Sequence, residues 1–451
     1  LIIEPNNGDC ILEGQAFVNF TPNPEAFNHT ILQCDEDGTA DGITLFNLNE
    51  ANDDLTGSIA DRSTKFYLDP ARVFEVDGDL FVNTSNPQTI FVEVINDLSG
   101  CHAFSELTLE VSVTDVNDVE LTNCDDDGTE DGFHSFNLSD ADDMIFDGLP
   151  AGLNISYYET YNDALLETNS LELSYINTTA YSQTIFARAE NENNCYGISD
   201  ILLTVHELPN IETEGFDYYC LNEFPDTITI NAALINDIPS NYTYIWSNGD
   251  TKYQTEINEA GTYTVTVTNE FGCSKNRIVT IESSNTATFE TPAFEVNDVT
   301  QNNSITVFVS GEGTYQYRLI DNAGNLIGPY QDSNFFDNVY PGIYNVLVKD
   351  IKNDCGVTNQ NVSVIGFPKF FTPNNDGVND TWQVLGISDQ FQSKTKVYIY
   401  DRFGKLLKQI SPNEAGWNGT LNGETLPADD YWFSVKLEDG RIYKNHFTLK
   451  Y

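Results

Sequence analysis

Two acidic loops near the start of the chain carry residue types that bind hard cations. Both read Asp-x-Asp-Gly-x-x-Asp, once in CDEDGTADG and once in CDDDGTEDG. Calcium takes about six to eight oxygen ligands, and carboxylates on alternate residues of a tight turn can converge on one point. Glycine lets the backbone reverse there. The spacing predicts two Ca²⁺ loops whose ligands would be Asp35, Asp37, Thr39 and Asp41 in the first, and Asn123, Asp125, Asp127, Thr129 and Asp131 in the second.

The loops depart from an EF-hand where its bidentate glutamate would stand, since Thr44 and His134 occupy those places. The alternative is a structural turn in which Asp and Asn side chains cap their own backbone. Three carboxylates this close repel one another without a cation, which favours calcium. A less charged loop of the same kind near the C-terminus adds the candidates Asn374, Asp376, Val378 and Asp380.

Catalytic chemistry has little support in the sequence. The five histidines share no spacing, and no G-x-S-x-G, H-E-x-x-H or P-loop pattern occurs. Adjacent acids such as Asp429 and Asp430 point to opposite faces of a strand, which disfavours a glycosidase pair. We therefore predict that these 451 residues are not an enzyme.

The acidic charge of the chain lies upstream of its last domain. The formal charge is −50, from 70 acidic and 20 basic residues. From Phe367 onward there are 10 of each, so the residues before it carry 60 acidic against 10 basic. Such a surface excludes nonspecific nucleic-acid binding, which needs Lys and Arg on phosphates. No apolar run is long enough to span a membrane as a helix.

The eight cysteines fall into two contexts. Three open a domain, and five follow a turn just before a domain's last strand. Pairing within each domain predicts three disulfides, which implies an oxidising, extracytoplasmic compartment. Cys355 is left without a partner, and Cys10 would belong to a domain whose start is missing. Together with the absence of a signal-peptide pattern, Cys10 predicts that the chain is a mature or truncated C-terminal piece of a longer protein. The predicted disulfides are Cys34–Cys101, Cys124–Cys195 and Cys220–Cys273.

The elements that position these residues read as β-strands throughout. Alternating runs such as TIFVEVI, LTLEVSV and GTYTVTV are sheet signals. The two CD-x-DG openings start copies of one repeat offset by 90 residues, and a period this long indicates an array of domains. We predict an all-β tandem array of Ig/PKD-like sandwiches ending in a small β-sandwich. Its parts are 1–30 (the tail of a preceding domain and a linker), repeats at 31–118 and 119–209, a PKD/Ig-like domain at 210–284, a β-sandwich repeat at 285–366, and 367–451.

The last segment resembles a known family. FFTPNNDGVNDTW, YDRFGKLL, GWNGTLNG, LPADDYWFSV and FTLKY occur in the order found in the type B C-terminal sorting domain of gliding Bacteroidota. The resemblance implies export by the type IX secretion system. It also implies attachment through an outer-membrane protein of the SprF/PorP type. The whole chain resembles the C-terminal part of a SprB-like gliding adhesin.

The aromatics of this terminal segment are candidates for docking on that partner, because Trp and Tyr are favoured interface anchors. Half of them would face a core. The sequence thus favours a surface or secreted adhesin stalk, carrying the export signal at its end. The alternatives are the tail of a secreted enzyme and a glycan-binding module. The candidate partner-binding residues are Trp382, Trp417, Tyr431, Trp432, Phe447 and Tyr451.

Overall fold

The computed structural model describes residues 2–3, 12–13, 22–35, 41–112, 114–191 and 194–451. Their regular structure is almost entirely β-strand, with a few short helical turns. They form small sheets arranged as a tandem series of Ig-like domains, which confirms the predicted all-β class. The chain separates into two compact units. Unit 1 comprises Leu1–Pro209 and Thr268–Ser274, and unit 2 comprises Asn210–Val267 and Lys275–Tyr451.

The first repeat of unit 1 follows two short paired strands, β1 (Ile2–Ile3) and β2 (Leu12–Glu13). Its elements are β3 (His29–Cys34), β4 (Leu45–Phe46), a 3-10 turn (Leu48–Ala51), α1 (Asn52–Thr56), β5 (Arg62–Tyr67), β6 (Glu75–Val76), β7 (Phe81–Val82), β8 (Gln88–Asn96) and β9 (His102–Ser112). The main sheet has the order β3-β9-β8-β5-β6, and β4 pairs with β7. Alternate residues of β8, such as Ile90 and Val92, enter the core because side chains of a strand point to opposite faces.

The second repeat has the same plan. Its elements are β10 (Val119–Cys124), β11 (Ser135–Asn137), a 3-10 turn (Leu138–Ala141), α2 (Asp142–Ile145), β12 (Asn154–Tyr158), α3 (Tyr161–Leu166), β13 (Ser174–Ile176), β14 (Ser182–Asn191) and β15 (Asn194–His206). The main sheet has the order β10-β15-β14-β12. In both repeats the first strand runs parallel to the last, β3 beside β9 and β10 beside β15.

The next domain is built around Trp246, which is 2% exposed and packs with Val265 and Val267 as the sequence predicts. Its main sheet has the order β16-β21-β20-β18, again with the first strand parallel to the last. Its elements are β16 (Glu214–Cys220), a 3-10 turn (Leu221–Glu223), β17 (Ile228–Asn231), a 3-10 turn (Pro239–Asn241), β18 (Thr243–Trp246), β19 (Gln254–Ile257), β20 (Gly261–Thr268) and β21 (Ser274–Ser284).

Two antiparallel sheets form the fourth domain, which lies in unit 2. Its strands are β22 (Thr288–Asn297), β23 (Ser304–Ser310), β24 (Tyr315–Asp321), β25 (Leu326–Gln331), β26 (Phe335–Phe336), β27 (Gly342–Asp350) and β28 (Val357–Val364). One sheet has the order β22-β23-β26 and the other β25-β24-β27-β28. Buried residues of both sheets, including Ile305 and Val346, share one core.

The terminal domain is a five-stranded sheet with a two-stranded ribbon. Its strands are β29 (Phe370–Phe371), β30 (Lys396–Tyr400), β31 (Leu406–Ile410), β32 (Thr420–Leu421), β33 (Glu424–Thr425), β34 (Asp430–Lys436) and β35 (Ile442–Leu449). The sheet order is β29-β35-β34-β30-β31. Gly404 and Gly440 have φ of 83° and 89° in the turns before β31 and β35. Glycine adopts that conformation without strain, which explains the two predicted hairpins.

Candidate functional site

The disulfides link successive domains. Cys34 bonds to Cys195, Cys124 to Cys273 and Cys220 to Cys355, with Cα–Cα distances of 5.4, 5.5 and 5.5 Å. In each case the cysteine that opens one domain is joined to the late cysteine of the domain that follows it in sequence. Cys101 has no disulfide partner among the described residues. Cys10 lies outside them.

The predicted pairs Cys34–Cys101, Cys124–Cys195 and Cys220–Cys273 are therefore wrong. The reason is the parallel pairing of first and last strands. Cys34 lies opposite Ser112 at the end of β9, whereas Cys101 precedes the start of β9. Eleven residues of strand separate those ends by about 35 Å at ~3.3 Å per residue. A disulfide needs Cα atoms within about 7 Å. Cys124 and Cys220 sit opposite strand ends in the same way.

A buried arginine lies beside the Cys34–Cys195 bond in unit 1. Arg188 is the one Lys or Arg between residues 119 and 209, and it is 1% exposed. Its Nη1 donates to Gln33 Oε1 of the first repeat at 2.7 Å, and its Nη2 lies 2.8 Å from Glu167 Oε1. It also pairs with Glu190. A guanidinium presents its donors in a fixed fork, so this side chain fixes the positions of groups from both repeats.

Three acids surround that single cation. Burial, together with the neighbouring Glu167 and Glu190 carboxylates, raises the pKa of Glu50 to about 8. Burial also raises the pKa of Glu167, which Arg188 opposes. A neutral Glu50 can donate a hydrogen bond to the Glu167 carboxylate. Burial at the junction of the repeats therefore favours the neutral form of Glu50. Sequence reasoning missed this cluster; the signal was a lone arginine in the strand TIFARAE.

The acidic loops of the repeats are folded by their own side chains. Asp125 Oδ2 accepts a hydrogen bond from Gly132 N at 2.9 Å, and the Gly132 carbonyl accepts one from Asn177 Nδ2 at 2.8 Å. The first repeat has the same two bonds, at 2.7 Å each, among Asp35, Gly42 and Asn83. The first Asp of each pattern thus accepts a hydrogen bond from the backbone seven positions further along the chain.

The other predicted ligands of the second loop make local turns. Asp127 Oδ1 accepts from Thr129 N at 3.0 Å, which lowers the pKa of the Asp127 carboxyl. Asp131 Oδ1 accepts from Phe133 N at 3.2 Å, and Asn123 Nδ2 donates to the Ser135 carbonyl at 3.3 Å. The two Asp bonds follow the Asx-turn pattern, whereas the Asn123 bond joins residues twelve apart in the chain. In the first loop, Asp41 Oδ1 accepts from Ile43 N at 2.9 Å. Asp37 and Thr39 lie outside the described residues.

The terminal loop is a compact turn of the same type. Asp376 Oδ1 accepts from Val378 N at 2.8 Å, which lowers the pKa of the Asp376 carboxyl, and Asn374 Nδ2 donates to Asp376 Oδ2 at 2.9 Å. Asp380 accepts from the backbone N–H groups of Asn375 and Gly377. Within the described residues, no three His, Cys, Asp or Glu side chains gather as a metal site would require. Among the described loop residues, the buried, unpartnered Asp35 Oδ1 and Asp125 Oδ1 still favour a cation, so calcium stays a prediction.

Four of the six aromatic candidates for docking are core residues, which corrects the sequence-based assignment. Trp382, Trp417, Phe447 and Tyr431 are 0, 1, 0 and 4% exposed. The Trp382 and Phe447 rings stack with centroids 4.0 Å apart. The indole N–H groups of Trp382 and Trp417 each donate to a backbone carbonyl. Side chains this buried cannot contact a partner in the folded domain. Trp432 and Tyr451 remain accessible, at 39 and 62%.

The outward face of the terminal sheet is basic and aromatic. Tyr400, Trp432 and His446 lie in one row across β30, β34 and β35. Lys396 lies opposite Lys436 on the same face, and Lys444 lies opposite Ser434 one step away. Sequence reasoning missed these lysines, although their alternation with buried residues in KVYIY and YWFSVK carried the signal. We call Lys396, Lys436 and Lys444 the lysine triad.

A cleft of about 790 Å³ opens elsewhere in unit 2. Polar side chains such as Gln301, Asn338 and Asn445 line it, together with Tyr340 and Phe367. Tyr340 is 82% exposed. An exposed ring beside amide groups can stack on a sugar and hydrogen-bond its hydroxyls.

Two families match parts of the chain. Residues 30–115 and 120–209 each match the Flavobacterium inter-domain disulphide bond domain. Residues 365–449 match the CHU_C type IX secretion signal domain. The first match agrees with the bond between Cys34 and Cys195, which joins the two matched segments. No curated protein matches the chain significantly.

Solved structures of tandem Ig and cadherin domains are similar at low scores. Sidekick-1 immunoglobulin domains 1–5 match at 13% identity and a TM-score of 0.23, covering 96% of this chain and 98% of that one. The four N-terminal Ig domains of Dscam1 isoform 1.9 match at 9% identity and 0.22, covering 67% and 90%. Cadherin domains 1–4 of protocadherin gamma B7 match at 10% and 0.20, covering 74% and 99%.

None of the described helices is long and apolar enough to cross a membrane. The terminal match confirms the predicted export by the type IX system through a C-terminal sorting domain. It implies contact with that secretion machinery and a final location at the cell surface or in the medium. Together, the inter-domain disulphide domains and the secretion signal domain identify a Bacteroidota protein sorted by the type IX secretion system.

Proposed function

We propose that the chain is a non-catalytic adhesin-type stalk of the SprB-like kind, held at the cell surface by its terminal domain. The observation that carries this proposal is the architecture: disulfide-linked β-domains precede a secretion signal domain. Disulfides between domains resist the separation of one domain from the next, whereas disulfides within a domain do not. A stalk under mechanical load needs that property.

Composition supports the same assignment. The 60 acidic residues before Phe367 keep that part soluble and self-repelling, whereas the terminal domain is neutral. A neutral domain docks on an outer-membrane partner without that repulsion. We propose a protein of the SprF/PorP type as the partner, with gliding motility as the process served.

The test is export and attachment of the tagged full chain in a gliding Bacteroidota strain, with and without its SprF-type protein. We expect the tag on the surface of intact cells only when the partner is present. Deleting Phe447–Tyr451 removes two buried core residues, Phe447 and Leu449, and should abolish export. Normal surface display of that deletion, or display without the partner, would contradict the proposal.

A second function, glycan binding, is favoured by the cleft beside Tyr340. A glycan array with the full chain and a Tyr340→Ala variant tests it. Binding that the variant loses supports a glycan ligand, and a blank array with the unaltered chain rejects it.

A further inference from the structure

We propose that the lysine triad is a docking site for an acidic protein surface of the outer-membrane partner. This inference rests on the proposed attachment function and names the chemistry that the attachment site recognises. Lys396, Lys436 and Lys444 are all exposed, and all lie on the outward face of the terminal sheet.

The arrangement costs stability in the isolated domain. Lys396 and Lys436 are directly opposite on adjacent strands, where side chains start about 5 Å apart and like charges repel. Lys444 is the diagonal neighbour of Lys436, at about 7–8 Å. Three ammonium groups in one patch, in a chain with only 20 basic residues, are difficult to explain as solubility devices.

No ion pair within 4.0 Å joins a triad lysine to a carboxylate in the described residues. The ion pairs of the terminal domain use Arg402, Lys408 and Arg441, and none includes a triad lysine. Acids near the face are engaged elsewhere: Asp430 accepts from Thr448 Oγ1 at 2.7 Å, and Glu438 accepts from Lys394 N at 2.7 Å. By contrast, three of the five upstream lysines, Lys65, Lys349 and Lys352, each pair with an acid.

The neighbouring aromatic row favours a protein as the occupant. Trp432 is 39% exposed and lies 6.2 Å from His446 between ring centroids. It is four residues from Lys436 on the same face, about 13 Å along β34. Exposed Trp flanked by cations gives a protein interface an apolar anchor and charge-based orientation. An acidic partner surface would supply the carboxylates that the triad lacks.

The test compares two triple variants of the full chain in the same gliding strain. One is Lys396→Glu, Lys436→Glu and Lys444→Glu. The matched control is Lys369→Glu, Lys394→Glu and Lys405→Glu, which changes the charge equally at exposed lysines outside the triad. We expect the fraction of the triad variant retained at the surface to fall roughly tenfold, with the lost protein found in the medium or the periplasm. The control should be retained like the unaltered chain.

Unchanged retention of a folded triad variant overturns the inference, with folding checked by its melting temperature. If the unaltered chain itself fails to reach the surface, the proposed function has failed instead. Carbodiimide cross-linking on cells identifies the occupant. A Lys436 or Lys444 peptide joined to an Asp or Glu peptide of an outer-membrane protein supports the proposal. Linkage to a uronic acid or to another copy of this chain contradicts it.

Discussion

The repeats of unit 1 and the terminal domain are stabilised by different means. The repeats use a cross-domain disulfide and a buried cation among acids, centred on Cys34–Cys195 and Arg188. The terminal domain has no cysteine and closes around stacked aromatics such as Trp382 and Phe447. Both have apolar cores, but the repeats add stability that depends on oxidation and pH, whereas the terminal domain relies on apolar packing. A domain recognised by the type IX secretion system can thus fold in either redox state. The upstream domains gain their disulfides in an oxidising compartment.

The largest expected effect comes from removing the cross-domain bond. The Cys34–Cys195 bond spans 161 residues, and loop-closure entropy assigns such a bond about 5 kcal/mol. We expect the double variant Cys34→Ser and Cys195→Ser to lower the calorimetric transition of the repeats and to spare that of the terminal domain. Cys101→Ser is the matched control. An equal loss from the control would show that the bond is not responsible.

Truncating a core aromatic residue should destabilise the terminal domain and leave the stability of the repeats unaffected. Trp382→Ala deletes a fully buried indole, and such deletions cost about 3–5 kcal/mol. The terminal domain should unfold at a lower urea concentration, which hydrogen exchange in β34 and β35 would report. The unfolding midpoint of the repeats should stay unchanged. Trp432→Ala, at an exposed position of the same domain, should cost under about 1 kcal/mol. Similar losses from both variants would refute the core assignment.

The buried acid makes the repeats sensitive to pH. Because the pKa of Glu50 is raised in the folded state, the folded protein holds a proton that the unfolded chain releases. The contribution is therefore fully present below the ordinary glutamate pKa and is lost as pH rises to about 8. Glu167, Glu190 and Arg188 face the same group.

Melting curves from pH 4.5 to pH 8.5 test this prediction. The fall in melting temperature of the repeats should flatten in Glu50→Gln, which stays neutral throughout. Glu110→Gln, at an exposed position of β9, should keep the fall of the unaltered chain. If Glu50→Gln and Glu110→Gln give parallel curves, Glu50 is not the source of the pH dependence of the melting temperature.

Calcium should have the smallest effect, because the loop carboxylates already accept backbone N–H groups. At tenfold excess over its Kd, one bound ion adds about 1.4 kcal/mol. We expect 5 mM EDTA to lower the melting temperature of the repeats slightly, and Asp125→Asn to remove the response. An unchanged melting temperature after EDTA would end the calcium prediction.

Local patterns were enough to predict the strands, the two hairpins at Gly404 and Gly440, and Trp246 in a core. The disulfides were missed because spacing in sequence does not reveal that β3 runs parallel to β9, which puts Cys34 and Cys101 at opposite ends. Tyr431 was assigned to docking although it is a core residue, because YWFSVK alternates and which half faces the core depends on the partner strands. Long-range pairing decided both.

Disulfides join each domain to the next, and peptide mapping is the decisive check of this connectivity. The oxidised chain is digested without reduction, with free thiols blocked, and the linked peptides are sequenced by mass spectrometry. We expect peptides joining Cys34 to Cys195, Cys124 to Cys273 and Cys220 to Cys355. Peptides joining Cys34 to Cys101, Cys124 to Cys195 and Cys220 to Cys273 would contradict it.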